Sequence, residues 1–395
     1  LGVGDKEHAA ADLTDVILVA SIDTKTNSVM MLSIPRDLYF PEVGYAPAGK
    51  VNAFYVYQKQ HYVSEGMSEF EASRLALKDF AEELGTRLHV PIHGVVKVDF
   101  TGFTKAVDAL GGVDIDVPRD ITDYEYPLAE GKVGLFHLKA GMQHLDGETA
   151  LRFARSRHDS SDFDRSHRQQ LLLSALEEKI RRDSMLTNIS QIMLLQQSLS
   201  GHSEWTFTSP QLLSLAAAVH QVPGSNIVGM NIKESNGPGG FVYRAPQALT
   251  GSGYYLYPYN KTRDPGDWSQ VGAFASFFLG HPELYIGRPV VEVSAPSRIY
   301  SHAYSLTNEL EKYGLNVSAK SPRTTSNTGS GYIAIGHLLH RAAVASLAEI
   351  LDVPVERADE KAESSVTIVL DSRYRFVPFQ VALQNSVLKM LSYLQ

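Results

Sequence analysis

Two short apolar runs near the start of the chain predict a β-hairpin. They span Asp15–Ser21 and Ser28–Ile34, and a polar Asp-Thr-Lys-Thr-Asn turn lies between them. Apolar runs of this length, bounded by turn residues, are typical of buried strands. Pro35 ends the second run because proline has no N–H group to donate to a neighbouring strand.

Helical and extended patterns alternate after this hairpin. Residues 68–84 carry apolar or small side chains at helical spacing and stop at Gly85, which predicts a helix. A strand at 94–100, a short helix at 101–110 and a strand at 113–117 are predicted next. The β-β-α-β-α-β order favours a layered α/β domain.

A second β-α-β-α-β pattern begins near Arg288 and predicts a smaller α/β domain. Its elements are a strand at 289–293, a helix at 301–313, a strand at 315–319, a mostly helical stretch at 333–351 and a strand at 366–370. The remaining tail is apolar enough to pack as a terminal helix. We therefore predict a large domain over 1–285, a small domain over 286–375 and a helical tail over 376–395.

Composition narrows the class of protein. A net charge of −8 and a pI near 6.0 argue against nucleic acid as a partner. The absence of cysteine excludes disulfides, thiolate metal sites and cysteine nucleophiles. The chain does not start with methionine and begins as if inside a strand, so we expect that an upstream signal or anchor segment is missing.

An arginine-rich segment stands out in this acidic chain. It contains Arg152, Arg155, Arg157, Arg165 and Arg168. Like charges repel, so the segment needs an anionic partner, and the guanidinium fork matches phosphate oxygens. We interpret the segment as a phosphate-binding wall. The competing interpretation is a surface network with Asp159, Asp162 and Asp164.

The spacing within this segment suits a diphosphate. Residues 148–153 are predicted to form a short helix or an extended entry to the segment. If residues 151–157 are extended, Arg155 and Arg157 point to the same side. In the helix predicted next, Arg165 and Gln169 lie one turn apart, near an N-terminus that favours anions. Asp162 is a candidate helix cap or orienting group, and Arg168 is predicted to support the wall rather than to bind.

Two shorter motifs add candidate phosphate ligands. Arg36 follows a buried strand and the rigid Pro35, and the ends of strands are where α/β domains usually bind ligands. Asp37 is placed to pair with an arginine. Lys50 and Asn52 add a cation and an amide near the start of an element.

Carboxylates near a phosphate site can hold Mg²⁺ or act as a base. Asp15 is the main candidate, with Asp5 upstream as a tentative second metal ligand. The sequence contains neither a nucleophile elbow, nor a Walker-type phosphate loop, nor a zincin motif, nor a dinucleotide fingerprint.

Taken together, the motifs resemble the LytR–CpsA–Psr family. The matching pieces are Leu-Thr-Asp-Val-Ile-Leu-Val at 13–19, Ser-Ile-Pro-Arg-Asp at 33–37, Lys-Val-Asn-Ala at 50–53, Val-Asp-Phe-Thr-Gly-Phe at 98–103, 107–117, 145–151, and Arg-Ser-Arg at 155–157 through Gln170. They cover most of residues 1–280, and the following small domain looks like the one that often accompanies this family.

The resemblance implies a fold and an activity. The fold is a layered α/β/α domain with a mixed central sheet and an apolar lipid pocket, followed by a small α/β domain. The activity is Mg²⁺-assisted transfer of a glycopolymer from a polyprenyl-diphosphate carrier to peptidoglycan, through a phosphodiester. Such enzymes are anchored at the extracytoplasmic face of the bacterial membrane, here through the missing N-terminal segment.

The resemblance also implies site residues. The diphosphate-binding positions of the family fall on Arg36, Arg155, Arg157, Arg165 and Gln169, and its downstream metal carboxylate falls on Asp15. The first metal carboxylate of the family falls on Gly4, so Asp5 or His8 would have to replace it.

Two alternative functions remain open from the sequence. One is a non-catalytic protein that binds polyprenyl phosphate and regulates or scaffolds wall assembly. The other is a pyrophosphatase of lipid carriers, in which water replaces the peptidoglycan acceptor.

Overall fold

The computed structural model describes residues 1–4, 12–127, 132–156, 168–169, 171–172, 174–176, 178–179, 182, 199, 201–237, 239–250, 253–319, 331–335, 341–357 and 365–383. These residues form two compact units. The first comprises Leu1–Asn27, Met31–Gly85 and Pro91–Asn231, and the second comprises Ser28–Met30, Thr86–Val90 and the chain from Ile232 onward. This division describes packing, and the domain boundary predicted near residue 285 stays a prediction.

Residues 1–231 contain most of the elements predicted from the sequence. In chain order they are β1 (Gly2–Val3), β2 (Thr14–Asp23), β3 (Ser28–Ile34), β4 (Tyr39–Phe40), β5 (Gly49–Lys50), a 3₁₀ turn (Val51–Ala53), α1 (Phe54–Ser64), α2 (Glu69–Leu88), β6 (Val96–Asp99), α3 (Phe100–Ala109), β7 (Val113–Val117), β8 (Ile121–Pro127), β9 (Val133–Leu138), β10 (Gly141–Leu145), α4 (Gly147–Arg155), β11 (Ser203–Trp205), α5 (Ser209–His220) and β12 (Ile227–Asn231).

The central sheet has six strands in the order β11-β6-β1-β2-β3-β12. Strand β1 runs antiparallel to β2, with Val3 opposite Thr14, and parallel to β6, with Val3 opposite Asp99. The sheet is therefore mixed, and the predicted mixed α/β fold class is confirmed.

Helices cover both faces of this sheet. Lys97 on β6 reaches Tyr55 of α1 and Ser73 of α2. Its neighbour Val98 points the other way, because successive residues of a strand face opposite sides, and it lies beside Gly102 of α3. The layers are helix, sheet and helix, as the family resemblance implies.

A second apolar core lies where α3 and α4 pack against the paired strands β7–β10 and β8–β9. The two helices approach closely at Gly147, where a Cβ atom would lie 2.2 Å from the carbonyl oxygen of Thr104. Asp146 caps α4 by accepting a hydrogen bond from the Thr149 amide at 2.8 Å. The hydrogen bonds from Thr149 are the main cause of a lowered pKa for the Asp146 carboxyl.

The second unit is built around a five-stranded sheet. After β13 (Val242–Arg244), α6 (Gln247–Thr250), β14 (Leu256–Pro258) and α7 (Ser269–Gly280) come β15 (Val290–Ser294), α8 (Tyr300–Lys312), β16 (Asn316–Ala319), β17 (Gly331–Ile335), α9 (Arg341–Leu351), β18 (Val355–Arg357) and β19 (Ser365–Leu370). The sheet order is β16-β15-β19-β17-β18, in which only β17 and β19 pair antiparallel.

One sequence prediction in this unit is partly wrong. Residues 333–351 were expected to be mostly helical, yet Ile333–Ile335 belong to β17, and the helix begins at Arg341. A short apolar run has the same pattern in a buried strand and in a buried helix. Here the run forms a strand because it pairs with β18 and β19. Residues 379–383 are helical, and the rest of the predicted helical tail lies outside the described residues.

Candidate functional site

Several strands end at the same edge of the central sheet. The C-terminal ends of β1 and β6 coincide there, since the two strands are parallel. Strand β2 starts at this edge because it runs antiparallel to β1, and the hairpin brings the end of β3 back to it. Asp15 lies near the start of β2, Arg36 follows β3, and Phe100 follows β6. Sheet topology therefore gathers three segments that are distant in sequence.

Arg36 and Asp15 form an ion pair at this edge, through Nη1 of the arginine and Oδ1 of the aspartate. The arginine side chain is 19% exposed and the aspartate side chain 35% exposed, so both are partly open to solvent. Arg36 also lies beside Asp37, with 3.5 Å between Nε and Oδ2. The two flanking carboxylates limit the orientations of the guanidinium group.

Lys50 and Asn52 lie next to this pair. Nζ of Lys50 donates to Oδ1 of Asp37 at 2.6 Å. The Asn52 backbone amide donates to the Arg36 carbonyl at 3.3 Å, and its carbonyl accepts from Thr14 Oγ1 at 3.2 Å. We call Asp15, Arg36, Asp37 and Lys50 the strand-end cluster; Asn52 is buried beneath it and acts through its backbone.

Arg155 is held by two aromatic rings at the same edge. Its guanidinium carbon lies 4.0 Å from the centre of the Phe100 ring and 5.8 Å from that of Tyr126. Nη1 is 3.5 Å from the Tyr126 hydroxyl. Burial is the main cause that raises the pKa of Tyr126, and the charge of Arg155 opposes it. Stacking on aromatic faces fixes the plane of a guanidinium group.

The backbone that leads to Arg155 is helical. Residues 151–155 are not extended, because they form the last turns of α4 and Arg155 is its final residue. The Asp146 cap and the close crossing at Gly147 stabilise the helix against the local alternation.

Arg168 and Gln169 point to the C-terminus of α4. Arg168 Nε donates to the Phe153 carbonyl at 2.9 Å, and Nη2 donates to the carbonyl of Ser156. Gln169 Nε2 lies 3.4 Å from the Ala154 carbonyl. The last carbonyl groups of a helix have no hydrogen-bond donors within the helix. The side chains of Arg168 and Gln169 provide such donors. Arg168 is buried, as a supporting residue would be.

Arg152 is partly exposed: Nε donates to Glu148 Oε1 at 2.9 Å, and its guanidinium carbon lies 5.7 Å from the centre of the Tyr126 ring. Arg157, Asp162, Arg165, Asp5 and His8 lie outside the described residues. Their predicted roles stay predictions.

A buried polar network beside the sheet was not predicted. Nζ of Lys97 lies 2.7 Å from Oε1 of Glu204, 2.7 Å from the Tyr55 hydroxyl and 3.2 Å from Ser73 Oγ. Asp12, three residues before Asp15, pairs with Lys59 at 2.7 Å and lies 4.0 Å from Lys97. The alternation Val-Lys-Val in β6 was a usable signal, because it places a lysine on a face of a central strand.

Asp123 and Ser156 were also missed. Asp123 lies in β8 on the same face as the buried Ile121, so strand alternation could have predicted a buried carboxyl group. Ser156 follows Arg155 and donates to Oδ2 of Asp123 at 3.0 Å.

The residues available for a metal ion are few. Within the described parts of the chain, no group of three or more His, Asp or Glu side chains could hold one. Mg²⁺ commonly binds through one or two carboxylates and takes the rest of its oxygens from substrate phosphates and water. The partly exposed Asp15, beside phosphate-matching cations, fits that kind of site. None of the helices formed by the described residues is long and apolar enough to cross a bilayer.

The chain is similar in sequence to a protein family and to several named proteins. The sequence profile of the LytR_cpsA_psr family matches residues 1–259. The polyisoprenyl-teichoic acid–peptidoglycan teichoic acid transferase TagV of Bacillus subtilis is 31% identical over 242 residues, which cover 60% of this chain and 56% of TagV. The cell wall biosynthesis protein LcpA of Corynebacterium glutamicum is 25% identical over 329 residues, which cover 80% of this chain and 57% of LcpA.

The fold also matches a solved structure. Protein gbs0355 from Streptococcus agalactiae has a TM-score of 0.51 and 19% identity, with 71% of this chain and 85% of that protein covered. The chain spans about half the length of the curated relatives it matches. Because the family profile matches more than half of the chain, this protein belongs to the LytR_cpsA_psr family.

Proposed function

We propose that this chain is a Mg²⁺-dependent phosphotransferase of bacterial cell-wall assembly, which moves a glycopolymer from a polyprenyl-diphosphate carrier to peptidoglycan. The observation that carries the proposal is the presence of two constrained guanidinium groups at one edge of the mixed sheet. Arg36 is paired with Asp15, and Arg155 is stacked on Phe100. Guanidinium groups held in a fixed plane are the best match for the oxygens of a diphosphate.

The apolar part of the substrate has a suitable surface nearby. Arg155 closes the end of α4, whose Phe153 belongs to the buried core shared with α3 and the paired strands. Partly buried apolar side chains pack against that core: Phe103, Ala154, Leu171, Ala175 and Leu176. We assign the isoprenoid chain to this surface, which would place its diphosphate beside Arg155.

The reaction follows from these positions. A sugar hydroxyl of peptidoglycan attacks the phosphorus that carries the glycopolymer, the bond from that phosphorus to polyprenyl phosphate breaks, and the hydroxyl proton is released to solvent. Arg36 and Arg155 stabilise the negative charge on the diphosphate and on the leaving polyprenyl phosphate. Lys50, anchored by Asp37, adds a further positive charge.

Asp15 is the residue to which we assign the metal. When bound, Mg²⁺ would neutralise the diphosphate oxygens and the charge that builds on the leaving group. Asp15, which is paired with Arg36, would hold the ion. Residues 5–11, which contain Asp5 and His8, are candidates for a second ligand.

The relatives support the same type of reaction. The name of TagV describes transfer of teichoic acid from a polyisoprenyl carrier to peptidoglycan, and the name of LcpA describes cell-wall biosynthesis. A protein with this substrate works at the outer face of the cell membrane, where peptidoglycan and the lipid carrier meet, and we propose that location here.

The test is a coupled transfer assay. Purified chain is incubated with a polyprenyl-diphosphate-linked glycan, peptidoglycan and Mg²⁺, and both polyprenyl phosphate and peptidoglycan-bound glycan are measured. We expect both products in equal amounts and loss of both with Arg155→Ala. Release without coupling would favour the pyrophosphatase, and lipid binding without release would favour the non-catalytic carrier. Unchanged turnover in the arginine variant would contradict the assigned site.

A further inference from the structure

Asp123 is a fully buried carboxyl group whose two oxygens have separate partners. Oδ1 accepts a hydrogen bond from the Glu125 amide at 3.1 Å, and Oδ2 accepts one from the Ser156 hydroxyl at 3.0 Å. The residue is 0% exposed and Ser156 is 1% exposed. A buried carboxyl group costs stability unless it is well hydrogen-bonded, so this position is unusual in an otherwise apolar strand face.

The Oδ1 contact shapes strand β8. It lies at an irregularity in the pairing of β8 with β9, between Asp123 and Tyr126. Tyr126 lies three residues after Asp123, so regular alternation would place it on the opposite face of the strand, and the irregularity changes this. Tyr126 is therefore buried on the same side as Asp123, where its ring meets Arg155.

The Oδ2 contact fixes the chain immediately after Arg155. Ser156 ends α4, and its amide still donates to the Arg152 carbonyl at 2.9 Å. Its hydroxyl is bound by Asp123, and its carbonyl accepts from Nη2 of Arg168. The amide, hydroxyl and carbonyl of Ser156 are thus all engaged, which fixes the direction of the chain at Arg155.

Both hydrogen bonds of Asp123 influence the position of the Arg155 side chain. One sets the position of Tyr126, and the other sets the backbone from which Arg155 projects. We infer that Asp123 and Ser156 are positioning residues, which hold the guanidinium of Arg155 in the plane required for a diphosphate. This inference rests on the proposed function, because it assigns a role to Arg155 that only a phosphate ligand would reveal.

A double-mutant cycle separates positioning from simple stabilisation. The probe is geranylgeranyl diphosphate, and its dissociation constant is measured for the full chain with Mg²⁺ present. We expect Arg155→Ala to weaken binding about 10- to 100-fold and Ser156→Ala or Asp123→Asn to weaken it about 5- to 10-fold. If Ser156 acts through Arg155, the Arg155→Ala/Ser156→Ala double variant binds no more weakly than Arg155→Ala alone, because residues that share one interaction are not additive.

A matched control uses another buried serine. Ser73 is also 1% exposed and is hydrogen-bonded to Tyr55 at 2.7 Å, but it lies on the α1–α2 side of the sheet. Ser73→Ala should reduce stability to denaturant without changing the dissociation constant. Circular dichroism and urea unfolding identify any variant that does not fold, and Asp123→Asn then provides a second test of the same contact.

The outcomes distinguish this inference from the proposed function. Wild-type chain that does not bind the diphosphate probe would overturn the proposed function, and the positioning role with it. Tight wild-type binding with unchanged affinity in Ser156→Ala and Asp123→Asn would overturn only the positioning role. Additive losses in the double variant would do the same, since they would show that Ser156 acts independently of Arg155.

Discussion

Arg36 and Asp15 pair across the ends of two neighbouring strands, although 20 residues separate them in the sequence. The hairpin of β2 and β3 creates this pair, because it returns the end of one strand to the start of the other. The two opposite charges compensate each other, and both side chains stay partly exposed. Under the proposed function, a diphosphate would bind an arginine whose orientation is already set.

The first prediction concerns this pair. Arg36→Ala should reduce glycopolymer transfer by about 10²-fold or more, since loss of one donor to a developing negative charge has that effect in other enzymes. The change in unfolding free energy should stay within about 1 kcal/mol, because the pair is partly exposed. Transfer and urea unfolding are measured on the same preparation. Arg74→Ala, on α2, is the control that should keep full activity.

The second prediction concerns the ring beneath Arg155. Phe100→Leu keeps an apolar side chain but removes the aromatic face, which at 4.0 Å lies within cation–π distance of the guanidinium. We expect a loss of about 0.5–2 kcal/mol in diphosphate binding, measured by calorimetry. Arg244 lies 4.9 Å above the ring of Tyr254 in the second unit, so Tyr254→Leu is a matched control. An equal loss in the control would show that the effect is not specific to Arg155.

The third prediction concerns the buried network at Lys97. Lys97→Met removes the cation that faces Glu204 and leaves that carboxylate without its charge partner, so we expect a loss of about 3–5 kcal/mol in unfolding free energy. Adding Glu204→Gln should restore part of the loss, because it removes the uncompensated charge. Lys78→Met on the exposed face of α2 should have little effect. A small loss in Lys97→Met, or no recovery in the double variant, would contradict this account.

The fourth prediction is a pH dependence in the second unit. Burial acts to raise the pKa of Glu283, but hydrogen bonds from His281 and Ser346 outweigh it, so the pKa is lowered from its ordinary 4.5. A lowered carboxyl pKa stabilises the folded state above about 4.5, and this contribution is lost as the pH falls through the lowered value.

Glu283→Gln should therefore destabilise the protein at neutral pH and flatten the loss of stability below pH 4.5. Urea unfolding between acid and neutral pH measures both effects. Glu349→Gln on the exposed face of α9 should leave the acid limb of the curve unchanged. If the curves of the wild-type chain and Glu283→Gln are parallel, Glu283 is not the titrating group.

Local patterns were sufficient for several elements of the first unit. The apolar runs of β2 and β3, the helical spacing of α2 and the breaks at Pro35 and at the end of α3 depend on neighbours in sequence, and the structure has elements at all of these positions. The family resemblance also followed from ordered short motifs, and the family match confirms it. Such features are local, so no knowledge of long-range packing is needed to predict them.

The stretch before Ser156 and the run at Ile333 show where local patterns do not decide the structure by themselves. The sequence left residues 148–153 open between a short helix and an extended entry, and the cap at Asp146 with the close packing of Gly147 on Thr104 favours the helix α4. Ile333 lies in a strand because two neighbouring strands pair with it. At Ile333 contacts from distant residues outweigh a weak local preference, and at α4 the packing on Thr104 adds to a local cap.

The sequence alone determined which residues have side chains that can bind a phosphate. It also indicated the strands or helices beside which most of these residues lie. Arg36, Asp15 and Arg155 were predicted as candidates from charge, strand ends and motif order. Only the tertiary structure decided the partners: Asp15 for Arg36, Phe100 and Tyr126 for Arg155, and Asp123 for Ser156. Pairing partners depend on strand order and helix packing, which bring together residues that no local pattern connects.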